Sequence, residues 1–121
     1  MTTKFEKEGD TLEVTNGTGS KISSGDVVEY GALVGVALAD IAVGDSGSVR
    51  FSGKFNSMPK ATGSAWTAGD LLDWDTSAGK FDKGITPATG DITGCAVAAA
   101  DAASGDTSGM VLLSRQAGTV N

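Results

Sequence analysis

Two hexapeptides constrain this chain more than any other feature: Gly25-Asp26-Val27-Val28-Glu29-Tyr30 and Gly69-Asp70-Leu71-Leu72-Asp73-Trp74. Each runs glycine, aspartate, two large apolar residues, an acid and an aromatic. Further echoes follow both. Leu33-Val34-Gly35-Val36-Ala37-Leu38 is matched by Ile92-Thr93-Gly94-Cys95-Ala96-Val97, and Gly44-Asp45-Ser46-Gly47-Ser48-Val49 by Gly105-Asp106-Thr107-Ser108-Gly109-Met110. Turn, strand, strand, turn and strand therefore occur twice, with a longer middle in the second copy. Short apolar runs bounded by glycine and aspartate predict small paired sheets of short strands whose conformational information sits in the turns.

Period-2 patterning predicts strands over Thr11–Thr15, Val27–Tyr30, Leu33–Leu38 and Val49–Phe55, then over Leu71–Trp74, Lys80–Asp82, Ile92–Val97 and Met110–Leu113. In Val49–Phe55 the residues Val49, Phe51, Gly53 and Phe55 share one face, which makes it the cleanest strand. Asn16-Gly17 is a hairpin signal. Met58-Pro59-Lys60-Ala61 breaks the strand before it, because proline cannot donate to a ladder. Ala96–Ala103 has helical propensity, but its counterpart Ala37–Val43 reads as strand and loop, and strand and loop is the reading adopted. The tail from Ser114 is polar and expected to fray. The expected fold is all-β: a small Gly-rich, barrel-like or β-tulip-like domain with an internal quasi-repeat. Residues 1–10 are expected to form a flexible N-terminal arm and residues 11–121 a single β domain.

The chain has 121 residues, a size suited to one compact domain. Its net charge of −6, with no basic cluster beyond Lys4 and Lys7, disfavours nucleic acid as a partner. No window approaches a membrane span, and Met1–Glu8 lacks the apolar stretch of a secretory signal, so synthesis in a cytoplasm is expected. Cys95 stands alone in an apolar run and reads as a small core residue. There is no histidine, which removes the usual bases for a serine or cysteine nucleophile and the Cys/His zinc cages. Gly-Asp pairs at 9, 25, 44, 69, 90 and 105 are too dispersed for a calcium loop and fit turn chemistry. Glu29 and Asp73 occupy equivalent places and could imitate an acid–base pair, yet each sits where a strand face is normally solvated. Lys60 invites comparison with the lysine that carries biotin or lipoate at a hairpin tip, although Pro59 and Ala61 flank it here. No catalytic residue, metal ligand or cofactor is expected, and the chain does not read as an enzyme. Phe51, Trp74 and Phe81 read as core, whereas Phe55, Met58, Pro59 and Trp66 surround an irregular segment and suggest a contact surface.

With these residues in view, the chain resembles the small capsid decoration, or cement, proteins of tailed bacteriophages. The likeness is carried by Phe5–Leu12, Ser24–Val28, Leu33–Ala37, Gly53–Phe55 through Pro59–Ala61, Trp66–Asp75, Gly94–Ala98 and Val111–Leu113. The series from Pro59-Lys60-Ala61 through Ala68-Gly69-Asp70 to Trp74-Asp75 is its most specific part; Asn56-Ser57-Met58 departs from the expected acidic-apolar pattern. The resemblance implies a structural virion protein that binds the outside of the expanded head and stabilises contacts between major capsid subunits. It further implies a homo-oligomer, often a trimer and sometimes a dimer, with the trimer favoured; no nucleic-acid partner, membrane partner or cofactor is expected. Lys4, Phe5, Phe55, Met58, Pro59, Lys60 and Trp66 are the candidate interface residues. A carbohydrate-recognising β module is the competing reading, and it would require a platform of exposed aromatics.

Overall fold

The computed structural model describes residues 11–121. The expected arm, with Lys4 and Phe5, lies outside the described residues. Ten strands and no helix occur among the rest: β1 (Thr11–Thr15), β2 (Val27–Tyr30), β3 (Leu33–Ala37), β4 (Ser46–Arg50), β5 (Ser52–Pro59), β6 (Leu71–Asp75), β7 (Lys80–Asp82), β8 (Ile92–Ala98), β9 (Ser108–Ser114) and β10 (Thr119–Val120). They form two antiparallel sheets, ordered β1-β4-β3-β2 and β5-β9-β8-β6-β7, with β10 added to β8. The all-β expectation holds, and Ala96–Ala103 is strand and loop as read.

The barrel-like expectation does not hold. Neither sheet closes, and the nearest approach is one isolated parallel bridge between Lys60 and Phe81 of the short β7. A three-residue strand offers too little ladder to join the two edges of the larger sheet.

The sheets are strung in the same order and register. Val28 pairs with Gly35 in one and Leu72 with Ala96 in the other; Ala37 with Val49, and Ala98 with Val111; Val14 with Gly47, and Met58 with Gly109. Even the isolated bridges Ile22–Ile41 and Trp66–Ala102 stand at matching places. By register Gly35 therefore corresponds to Ala96, two residues beyond the Gly94 that similarity of the two peptides suggests. The offset arises because β8 bulges between its pairings with Leu72 and Trp74, and Gly94 lies in that bulge with φ +70°.

Turn chemistry repeats with equal regularity. Asp26, Asp70, Asp91 and Asp106 each accept, through Oδ2, the backbone N–H three residues earlier, at 2.8–2.9 Å. Each also donates its own N–H to the carbonyl of that same residue. The preceding Gly25, Gly69 and Gly90 take φ between +91° and +94°, a region that glycine enters without a Cβ penalty.

Four elements depart from the sequence reading. The run Val49–Phe55 is not one strand: β4 ends at Arg50, and the chain crosses at Phe51 into the other sheet. Alternation survives the crossing, so side-chain pattern alone cannot register the change of hydrogen-bond partner. Pro59 closes β5 rather than breaking it, since β5 is an edge strand and the missing N–H leaves no ladder bond unmade. The tail does not fray; β10 pairs with the part of β8 that β9 leaves open, and Gly118 N–H bonds Ala32 O at 2.9 Å. Asn16-Gly17 does turn the chain, but β1 pairs with β4 and β2 with β3, so no hairpin forms there.

The core has two parts that share β3. Leu33, Gly35 and Ala37 face a cluster with Val14, Ile22, Val28, Ile41, Val49 and Phe51, while Val34 and Val36 face the cluster of the second sheet. That second cluster contains Leu72, Trp74, Phe81, Ile92, Cys95 and Val111, with the Trp74 and Phe81 rings edge to face at 4.8 Å. Phe51, Trp74, Phe81 and Cys95 are thus core, as expected.

A Cβ at Gly35 would lie 2.7–2.8 Å from Val49, the Arg50 carbonyl and Phe51. Gly35→Ala should therefore destabilise the fold by about 1–3 kcal/mol through overpacking, outweighing the ~0.4–1 kcal/mol gained by restricting the unfolded chain. Thermal unfolding checks this; an unchanged or raised midpoint would show that the strands separate freely there.

Candidate docking surface

The segment between β5 and β6 was the strongest site candidate, and the structure divides its residues. Met58, Lys60 and Trp66 are buried, whereas Phe55 and Pro59 are partly exposed. Ser57, at φ +57°, sits in a bulge where the register of β5 shifts between Phe55 and Met58. The bulge turns Asn56 and Ser57 outward while Phe55 and Met58 both pack on the second cluster.

Lys60 is fully buried, so it is not presented at a hairpin tip. Its stem packs inside, and its ammonium donates to the carbonyls of Ala61 (3.0 Å) and Asp106 (3.5 Å) and lies 5.5 Å from the Trp66 ring centre. The backbone N–H of Lys60 bonds Thr107 O, and that of Ala61 bonds Phe81 O. Lys60 thus ties the β5 end to the turn before β9 and to β7. The matching position in the first sheet is Asn16, buried and bonded to Ser20 O and Ile41 O. Proline before Lys60 and alanine after it concealed this role, because a lysine in a loop reads as solvated.

Trp66 lies against Gly109, whose missing Cβ leaves room for the indole. Its Nε1, like that of Trp74, has no acceptor among the described residues. Trp74 also lines a cleft of about 260 Å³ at the junction of the sheets, together with Gly25, Asp26, Val27, Pro59 and Gly79. Glu29 accepts a 2.7 Å bond from Thr76 Oγ1 near this junction.

Asp73 corrects a further expectation. It is buried rather than solvated, and its carboxylate accepts the N–H of Gly94 (2.8 Å) and of Ile85 (3.2 Å). These amides lie in the β8 bulge and the loop after β7, so Asp73 replaces ladder bonds that the bulge removes. Glu29 and Asp73 are each engaged with their own donors. Burial, with a smaller push from the Asp73 carboxylate, raises the Cys95 thiol to about 12 and keeps it protonated. Among the described residues no group of three His, Cys, Asp or Glu could hold a metal ion.

The geometry is that of a β scaffold: polar groups close turns and bulges, and the exposed faces and junction cleft remain for contact. The sequence matches the family described as phage cement protein over residues 7–113, and the chain belongs to that family. Comparison with curated proteins and with solved structures finds no match. Membership makes the chain a structural protein associated with a phage capsid.

Two predictions follow from these bonds. Lys60→Ala should cost about 2–5 kcal/mol, as for other buried long side chains cut to alanine, and Lys60→Met less than half of that. Chemical denaturation compares the two; equal losses would assign the effect to the ammonium rather than to the packed stem. Asp40 is held below its ordinary 3.8 first by the Ser24 N–H and then by Lys21. Asp70 is held down first by the Thr67 N–H and then by Lys83. Depressed folded values give stability that is present above 3.8 and lost as pH falls through the lower folded values. Denaturant midpoints should fall between about pH 5 and pH 2, and Asp40→Asn with Asp70→Asn should flatten that limb. An unaltered acid limb in the double variant would mean that other groups govern it.

Proposed function

We propose that this protein binds the outer surface of the mature, expanded phage head and stabilises contacts between major capsid subunits as a homo-oligomer, a trimer rather than a dimer. The observation that carries this reading is the family match through residues 7–113. The fold supports it. Residues 1–10, with Lys4 and Phe5, precede β1 in the sequence, and among the described residues β1 pairs with β4 alone. An arm there is well placed to add strand or apolar contacts to a coat subunit. Partly exposed Phe55 and Pro59 supply a second contact, held in place by buried Met58, Lys60 and Trp66. On this reading residues 11–121 act as one domain, the two sheets are copies of one unit, and no catalytic step is required.

The carbohydrate-module alternative fares worse on one observation. Of the seven aromatics, Phe51, Trp66, Trp74 and Phe81 are buried, leaving no described pair of exposed rings to form a sugar platform beyond Tyr30 and the partly covered Phe55. Tyr30 itself packs against Phe51 at 5.8 Å. A single weak contact repeated over a lattice gives large total stabilisation through avidity, which suits a capsid better than a lone ligand.

Co-sedimentation with shells of the cognate phage, expanded and unexpanded, tests the reading. Saturable binding to expanded shells at a fixed ratio to coat protein is expected. Absence of binding to either form would overturn it.

A further inference from the structure

The outer face of the second sheet carries an apolar row that nothing among the described residues covers. Leu71 pairs with Val97 and Val97 with Leu112, so three neighbouring strands place these side chains side by side. Leu71 is 54% exposed and Leu112 41%, with Val97 half-buried between them. Lys54 of β5 continues the row beyond Leu112.

The first sheet holds the corresponding row, Val27–Val36–Arg50, in the same register, and there Val36 is buried and Val27 half-buried while Arg50 is exposed. Val27 pairs with Val36 as Leu71 does with Val97, and Val36 pairs with Arg50 as Val97 does with Leu112. Val36 is 5% exposed because it and Val27 pack against the cluster of the second sheet. At Val27 and Val36, then, the face at this register is covered by a sheet of the same protein. The second sheet has Leu for Val and Leu for Arg at two of the positions, and among the described residues no sheet lies over them.

We infer that the Leu71–Val97–Leu112 row is covered by another copy of this chain, which places the self-association of the proposed function on the outer face of the second sheet. The inference rests on that reading. The row's charge environment favours an apolar seal: Lys83 pairs with Asp70 at 3.0 Å beside Leu71, and Lys54 borders Leu112, so no unpaired carboxylate adjoins it in register. Three side chains are far less than the ~800 Å² per partner of a stable interface, so the contact is weak in free solution. A net charge of −6 on each copy opposes it further, and salt should strengthen it by screening that repulsion.

Sedimentation equilibrium of the full chain from about 10 µM to about 1 mM, at low and high salt, tests the inference. Wild type should gain mass with concentration, more so at high salt, and Leu112→Glu and Leu71→Lys should each lose at least tenfold in association constant. Both positions are exposed, so thermal midpoints should stay near wild type; should one variant unfold, the other carries the test. Wild type that stays monomeric throughout, or folded variants that associate as wild type does, would overturn the inference. Shell binding by the same proteins separates the two readings. Variants that still associate but no longer bind shells would assign the row to the coat protein and overturn the inference. Loss of wild-type shell binding with intact, row-dependent association would instead overturn the proposed function alone.

Discussion

The structure depends on β3 being buried on both faces. A four-stranded sheet with one apolar face can fold over its own loops, as Ile22 and Ile41 show in the first cluster. What joins that sheet to its neighbour is the other face of the same strand, where Val34 and Val36 enter the larger core. Gly35 and Ala37 are the complement of this arrangement: small residues on the inner face let β4 and Phe51 approach, so the strand can be flanked closely on both sides. Fixing β3 in this way also sets where the chain crosses from β4 to β5, and hence where the second sheet begins.

Given that frame, the polar residues have a consistent task. Aspartates after glycine close turns by accepting amides three residues back. Asp73 fills the bulge in β8, and Asn16 and Lys60 each fasten a strand end to a distant turn. Buried polar atoms are costly unless bonded, so their placement specifies one arrangement of the loops.

Much of this was legible beforehand. The strands of β1, β2, β6 and β7 were readable because alternation and glycine-aspartate turns are local signals, and Phe51, Trp74, Phe81 and Cys95 were identifiable as core from their apolar neighbours. Other elements were hidden for stated reasons. The crossing at Phe51 leaves the period-2 pattern intact, so it has no signature in residue order. β10 is two residues whose partner, Thr93, lies far back in the chain. Asp73 and Lys60 look solvated by type, and only the bulge and the turn that enclose them make them interior. Around the segment between β5 and β6 the burial of Met58 and Trp66 was not legible, since either side chain could have pointed either way.

The amino-acid order by itself determined the class of fold, the position of the turns and the kinship with cement proteins, because each rests on short-range chemistry: positive φ at glycine, aspartate bonding nearby amides, alternation along a strand. Tertiary structure alone decided which strands pair, that neither sheet closes, and which face of each sheet is covered. Those outcomes depend on contacts between residues distant in sequence, where one sheet's face becomes the other's core and no local pattern records the choice.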